Sequence, residues 1–144
     1  SVVAAGVIFT LFTMSGTVSG LIAGHLSDRI GFKKIFLVTH GLMAPMMLLF
    51  LHLTGRWIYL GAVLAGMFVL ATMPLGVALA QRLAPKGRSI VSSLMMGFAF
   101  GLGGIVTPLV GKLADLFTIE PVLTATALLP LLTLPLIWAF TKDR

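Results

Sequence analysis

Four acidic residues are the only side chains of this sequence that could act as catalytic carboxylates: Asp28, Asp115, Glu120 and Asp143. Asp28 lies in the stretch GHLSDRIGFKK, residues 24–34, where two glycines, an acid, an arginine and two lysines occur close together. A fainter copy, GKLAD, occurs at residues 111–115. An acid in such a setting can meet the N-terminus of another helix, whose unpaired amides attract an anion. The stretch therefore predicts an electrostatic contact.

Catalytic chemistry has little support. A membrane hydrolase needs two converging carboxylates, a metal triad or a nucleophile with a base. The chain has no HExxH motif and no cysteine, and no two of its histidines have metal-ligand spacing. We expect His40 to hydrogen-bond a neighbouring helix and His52 to lie at a membrane interface. A proton relay through an intramembrane histidine is the alternative. We predict that the chain is not an enzyme and holds no metal or cofactor.

The composition places the chain in a membrane. Of its 144 residues 58% are hydrophobic and 10% are charged, with a mean hydropathy of +1.11, whereas soluble domains are about 25% charged. The net charge of +6 does not indicate nucleic-acid binding, which needs a basic face on a soluble domain. We expect a lipid bilayer as the surroundings and no nucleic-acid partner.

Formal charges are confined to short clusters, and five charge-free stretches separate them. The stretches are 22, 19, 24, 22 and 20 residues long, and a helix needs roughly 20 residues to cross the hydrocarbon core. Backbone amides in lipid must be satisfied within their own segment, which selects helices. The sequence thus predicts an all-α integral membrane fold, a single membrane domain over residues 1–144. Its spans are predicted at about 2–23, 35–53, 57–80, 90–111 and 121–140.

The basic residues are divided unequally between the two sides of the membrane. Eight lie on one side, and only Arg56 and Lys112 lie on the other. Since basic residues in short loops mark the cytoplasm, we predict a cytoplasmic C-terminus and an external Ser1. Asp28 and Asp115 then lie on opposite faces and cannot form a catalytic pair. The chain is predicted to begin outside the membrane, and its first residue is not methionine. We therefore expect it to be the C-terminal piece of a longer protein.

The two related stretches belong to an internal repeat. A shift of 87 residues places Gly24 on Gly111 and Asp28 on Asp115, and it superimposes the second span on the last. One span lies unmatched between the pairs. If its partner preceded Ser1, the repeated unit would have three helices, and an odd number inverts the topology of the second copy. Inverted repeats are typical of secondary transporters. Chance similarity between glycine-rich helices is the alternative.

The stretch GHLSDRIGFKK resembles the signature of the major facilitator superfamily, G-x-L-a-D-r-x-G-r-k. The matching residues are Gly24, Leu26, Asp28, Arg29, Gly31 and Lys33, whereas Phe32 departs from the usual basic residue. The resemblance covers essentially the full chain and implies helices eight to twelve of a twelve-helix bundle. Its signature residues would act as a cytoplasmic gate against the N-terminal half. More narrowly, LMMGFAFGLGGI, GKLADLFTIE and QRLAPKGRSIVSSL are similar to the fosmidomycin-resistance branch of drug exporters.

Two further groups of residues lie within the spans. Small residues and a proline suit helix packing or a hinge: Gly16, Gly20, Gly97, Gly101, Gly104, Pro108 and Gly111. Hydroxyl, thioether and aromatic side chains are candidates for a substrate path: Thr10, Thr13, Thr17, Met96 and Phe100. The threonines have a competing role, because hydroxyls in membrane helices often bond to their own backbone.

Together these features predict part of a secondary active exporter of small organic solutes or drugs. Proton exchange, the outward direction and a bacterial inner (plasma) membrane are implied by the resemblance alone. The remaining alternatives are an uptake transporter of the same superfamily for a metabolite and a packing or assembly subunit without its own substrate path. The expected partners are the N-terminal half of the same transporter and a small-molecule substrate.

Overall fold

The computed structural model describes residues 1–139, and these residues form five long α-helices. The helices are α1 (Val2–Ile30), α2 (Phe32–His52), α3 (Trp57–Leu83), α4 (Arg88–Phe117) and α5 (Ile119–Ala139), with a short 3-10 helix at Pro85–Gly87 before α4. No strand occurs in this range. All five helices are long and apolar enough to cross a membrane. The predicted all-α membrane fold is therefore confirmed. The charged residues 142–144 and the last residue of the fifth predicted span lie outside the described range.

The helices extend beyond the charge-free stretches. α1 continues past Ala23 to Ile30, and α2 begins at Phe32, so the stretch predicted as a loop is helical except for one residue. The 29 residues of α1 span about 43 Å, which exceeds a hydrocarbon core of about 30 Å. The charged end of α1 can therefore leave the core without unwinding, because its backbone bonds stay within the helix.

A single residue joins each pair of repeated helices. Gly31 connects α1 to α2 with φ 95° and ψ 146°, and Thr118 connects α4 to α5 with φ 73° and ψ 161°. Ile30 and Phe117, the last residues of α1 and α4, are 87 residues apart, and α2 and α5 are each 21 residues long. The helix boundaries thus repeat at the interval found in the sequence, and so does the left-handed connection.

The helices divide between two compact units. One contains residues 1–75 together with α5 from Ala127 onward, and the other contains residues 76–126. In the first unit α1 and α3 approach closely, since a Cβ atom at Gly66 would overlap the carbonyl oxygen of Phe12. The Ser19 hydroxyl also donates to the carbonyl oxygen of Met67 at 2.7 Å. Small residues and the bond from Ser19 to Met67 hold this pair, as is usual in lipid.

The second unit contains the end of α3, the 3-10 helix, α4 and the start of α5. The Gln81 side chain donates from Nε2 to the Ser92 hydroxyl at 2.7 Å and joins α3 to α4. Between the same two helices, a Cβ atom at Gly76 would lie 3.5 Å from the Met95 methyl group. α4 has no buried residue. Its apolar side chains therefore need lipid or another part of a larger assembly around them.

Candidate gating site at the α1–α2 turn

The residues of the signature lie on the end of α1, on the connecting residue and on the start of α2. Gly24, Leu26, Asp28 and Arg29 occupy the last two turns of α1, and Lys33 is the second residue of α2. The side chains of Asp28 and Arg29 are exposed. Arg29 suits the negative end of the α1 dipole, whereas a carboxylate there is disfavoured. The predicted contact of Asp28 with the N-terminus of another helix stays a prediction.

Gly31 sets the geometry of the turn. Its φ of 95° lies in a region that residues with a Cβ atom rarely adopt. Its amide donates to the carbonyl oxygen of Ser27 at 3.1 Å, and the Ser27 hydroxyl donates to the carbonyl oxygen of Gly24 at 2.7 Å. Ser27 and Phe32 are buried on either side of the turn. These buried residues fix the backbone from which the charged side chains extend.

Lys33 makes a contact that the sequence did not predict. Its ammonium group lies 5.3 Å from the centroid of the Trp138 ring, within the range of a cation–π interaction. The contact links the start of α2 to the end of α5. The neighbouring Lys34 is exposed and Lys33 is partly buried. The sequence offered one signal for this contact, a tryptophan near the end of the last predicted span. It could not identify Lys33 as the partner, because residues 105 positions apart form no local pattern.

The predicted packing residues fall into two groups. Gly16 and Gly20 lie against α3, since added Cβ atoms would lie 2.9 Å from the Gly66 carbonyl oxygen and from Pro74 Cγ respectively. Within the described part of the chain, a Cβ atom at any glycine of the α4 stripe would have no neighbour within 4 Å. That stripe consists of Gly97, Gly101, Gly104 and Gly111, and Pro108 lies inside the same helix. Packing or hinge motion along α4 stays a prediction.

The candidate path residues occupy α1 and α4. The hydroxyls of Thr10, Thr13 and Thr17 donate to carbonyl oxygens of α1 itself, each at 2.9 Å. Thr17 also lines an open apolar groove of about 380 Å³ between α1 and α3. The remaining lining residues are Gly16, Gly20, Leu21, Leu70, Met73 and Pro74. Met96 and Phe100 are exposed on α4, in the second unit. The substrate path stays a prediction.

The histidines bond within their own helix. His40 Nδ1 lies 3.1 Å from the carbonyl oxygen of Phe36, and the two rings are 5.6 Å apart. His40 Nδ1 thus contacts a carbonyl one turn away in α2, and the expected bond from His40 to a neighbouring helix stays a prediction. His52 is the last residue of α2, and its Nδ1 lies 2.8 Å from the carbonyl oxygen of Leu48. Within residues 1–139 no three potential metal ligands lie together.

Five apolar helices and a charged one-residue turn define an integral membrane protein with a signature of membrane transporters. The chain belongs to the Major Facilitator Superfamily, whose family model matches residues 1–144. It is 33% identical over 124 residues to the fosmidomycin resistance protein of Escherichia coli (strain K12), covering 86% of this chain and 30% of that protein. The predicted resemblance is thereby confirmed.

A second relative is the uncharacterized MFS-type transporter YfnC of Bacillus subtilis (strain 168). It is 30% identical over 123 residues, covering 85% of this chain and 30% of that protein. The matched region thus spans 30% of the length of each of these two relatives. No solved structure matches the chain.

Proposed function

We propose that this chain forms part of a secondary transporter for small organic compounds and that residues 24–34 act as its cytoplasmic gate. Membership of the superfamily supports membrane transport. The observation that carries the gate is the geometry of the turn, which presents Asp28 and Arg29 on a helix end fixed by the left-handed Gly31. In this proposal the five helices are the eighth to twelfth of a twelve-helix bundle.

The proposed transporter exports its substrate from the cytoplasm in exchange for protons. Support for export comes from a relative that is named for fosmidomycin resistance. No Asp, Glu, Lys or Arg lies deep within any of the five apolar stretches. The acidic residues that couple transport to protons are therefore proposed to lie in the remainder of the transporter.

The gate works by an electrostatic contact that exists in one conformation only. In the closed state the Asp28 carboxylate meets the N-terminus of a helix in the other half of the transporter. Such a contact contributes about 0.3–1 kcal/mol when exposed and up to about 2 kcal/mol when partly buried. A free-energy difference of about 1.4 kcal/mol changes an equilibrium tenfold. The upper value would therefore shift the balance between open and closed states more than tenfold.

Substitution of Asp28→Asn in the complete transporter tests the gate. The change keeps the size of the side chain and removes its charge, so transport should fall sharply while expression stays near normal. Access from the cytoplasm to a cysteine in place of Thr17 should rise. Thr17 lies 13 residues before the end of α1, about 20 Å along the helix. Because the chain has no cysteine of its own, this thiol reports without interference from the rest of the chain.

Asp115→Asn is the matched control. Asp115 occupies the equivalent position of the repeat, is exposed, and precedes its connecting residue by three positions, as Asp28 does. It lies on the predicted external side, so its substitution should change transport and labelling much less. Equal and small effects from both variants would reduce the signature to an ordinary basic turn and would refute the proposed gate.

A further inference from the structure

The chain contains two tryptophans, and each has a cationic side chain above its ring. Arg56 lies 5.9 Å from the ring of Trp57, its immediate neighbour in the sequence. Lys33 lies 5.3 Å from the ring of Trp138, which belongs to a different helix. The first contact follows from chain connectivity. The second requires the start of α2 and the end of α5 to be held together.

Buried residues hold both partners of the second contact in place. Phe32 and Ile35 flank the lysines of α2 and are 4% and 6% exposed, and Ile137 next to Trp138 is 8% exposed. Trp138 itself is 70% exposed, so its ring contributes little to the apolar core. The ring instead offers its electron-rich face to an ammonium group at the edge of the unit, an arrangement that attracts cations.

We propose that Trp138 is a positioning residue for the cytoplasmic gate and acts by holding the Lys33 ammonium group beside the α1–α2 turn. The inference rests on the proposed gating function, because Lys33 belongs to the signature that contains Asp28. Of the two adjacent lysines, only Lys33 has a described aromatic partner, and Lys34 is exposed. The cation held in this way stands two residues beyond Gly31 and adds a fixed positive charge to the turn. α5 thereby contributes to a gate that lies far from it in the sequence.

The alternative role of Trp138 is that of a membrane anchor, since tryptophans collect at the interface between lipid and water. The two roles predict different results for combined substitutions. An anchor acts independently of Lys33, so the effects of Trp138→Leu and Lys33→Met would add. A positioning residue acts through the ammonium group, so the double variant should be no worse than either single variant.

The experiment is a double-mutant cycle in the complete transporter, read out by cytoplasmic labelling of a cysteine in place of Thr17. Trp138→Leu and Lys33→Met should each change the labelling rate about two- to fivefold, the range expected for a cation–π contact near a surface. Trp138→Tyr keeps an electron-rich ring and should retain most of the parental rate. Lys34→Met and Trp57→Leu are matched controls. The first removes an ammonium group from the neighbouring lysine, and the second removes the indole ring of the other tryptophan.

Non-additive effects with retention by Trp138→Tyr would support the inference. Additive effects, or a Trp138→Tyr variant as altered as Trp138→Leu, would overturn it. Asp28→Asn separates failure of the inference from failure of the gate. If Asp28→Asn changes labelling and the Trp138 variants do not, only the positioning role falls. If Asp28→Asn has no effect either, the gate and the positioning role fall together. Thermal unfolding of each purified variant identifies any change that merely prevents folding.

Discussion

The two one-residue connections offer a direct comparison of backbone strain. Thr118 adopts φ 73° and ψ 161°, a combination that is essentially restricted to glycine and costs about 1–3 kcal/mol for other residues. Glycine at this position would remove that cost, although it would lose about 0.4–1 kcal/mol through the greater freedom of the unfolded chain. Thr118 is exposed, so little packing is lost. We expect Thr118→Gly to raise the free energy of unfolding by about 0.5–2 kcal/mol.

Gly31→Ala is the reciprocal change at the equivalent connection. The same reasoning predicts that it lowers the free energy of unfolding by about 0.5–2 kcal/mol. Ala125→Gly serves as the control for removal of a Cβ atom, because Ala125 is an exposed helical residue and glycine there should cost about 0.5–1 kcal/mol. Equilibrium unfolding of the complete protein in mixed detergent micelles measures all three. A Thr118→Gly variant that loses as much stability as Ala125→Gly would show that this connection carries no strain.

Two further predictions concern helix packing and topology. Gly66→Ala should destabilise the protein by about 1–3 kcal/mol through overpacking, since the new methyl group would overlap the backbone of α1. The control is Gly41→Ala, where the added methyl group has no neighbour within 4 Å. This variant should be neutral or slightly stabilising in the same unfolding assay. A reporter fused after Arg144 should be active in the cytoplasm and one inserted at Gly55 should be external, because basic residues concentrate on one side. The reverse pattern would contradict the predicted orientation.

Local properties of the sequence were sufficient for the fold. The length of each charge-free stretch indicates a spanning helix, and the positions of Gly31 and Thr118 repeat because the helices that they connect repeat. The exact helix ends were missed because absence of charge marks the hydrocarbon core, while a helix ends where its backbone bonds end. Residues 24–30 therefore belong to α1 despite their charges.

Contacts between distant helices were harder to predict. The small residues of α3 were a usable signal for close packing, but nothing local shows that Gly66 faces α1 whereas Gly61 faces Phe50 of α2. The Lys33–Trp138 contact depends on how α5 packs within its unit, which only the three-dimensional structure specifies. The contact of His40 Nδ1 within α2 was not predicted for a related reason, because sequence alone does not show whether a neighbouring helix offers a closer acceptor than the carbonyl one turn back.

The single-residue connection at Gly31 also constrains how the protein is made. Only one residue lies between α1 and α2. One helix therefore cannot insert fully into the bilayer while the other remains in water. We expect the two to enter the membrane during synthesis as one hairpin, with the charged turn on the predicted cytoplasmic side. We expect the same of α4 and α5, whose turn lies on the predicted external side. Insertions and fusion points should therefore be tolerated best in the wider connections, at residues 53–56 and 84–87.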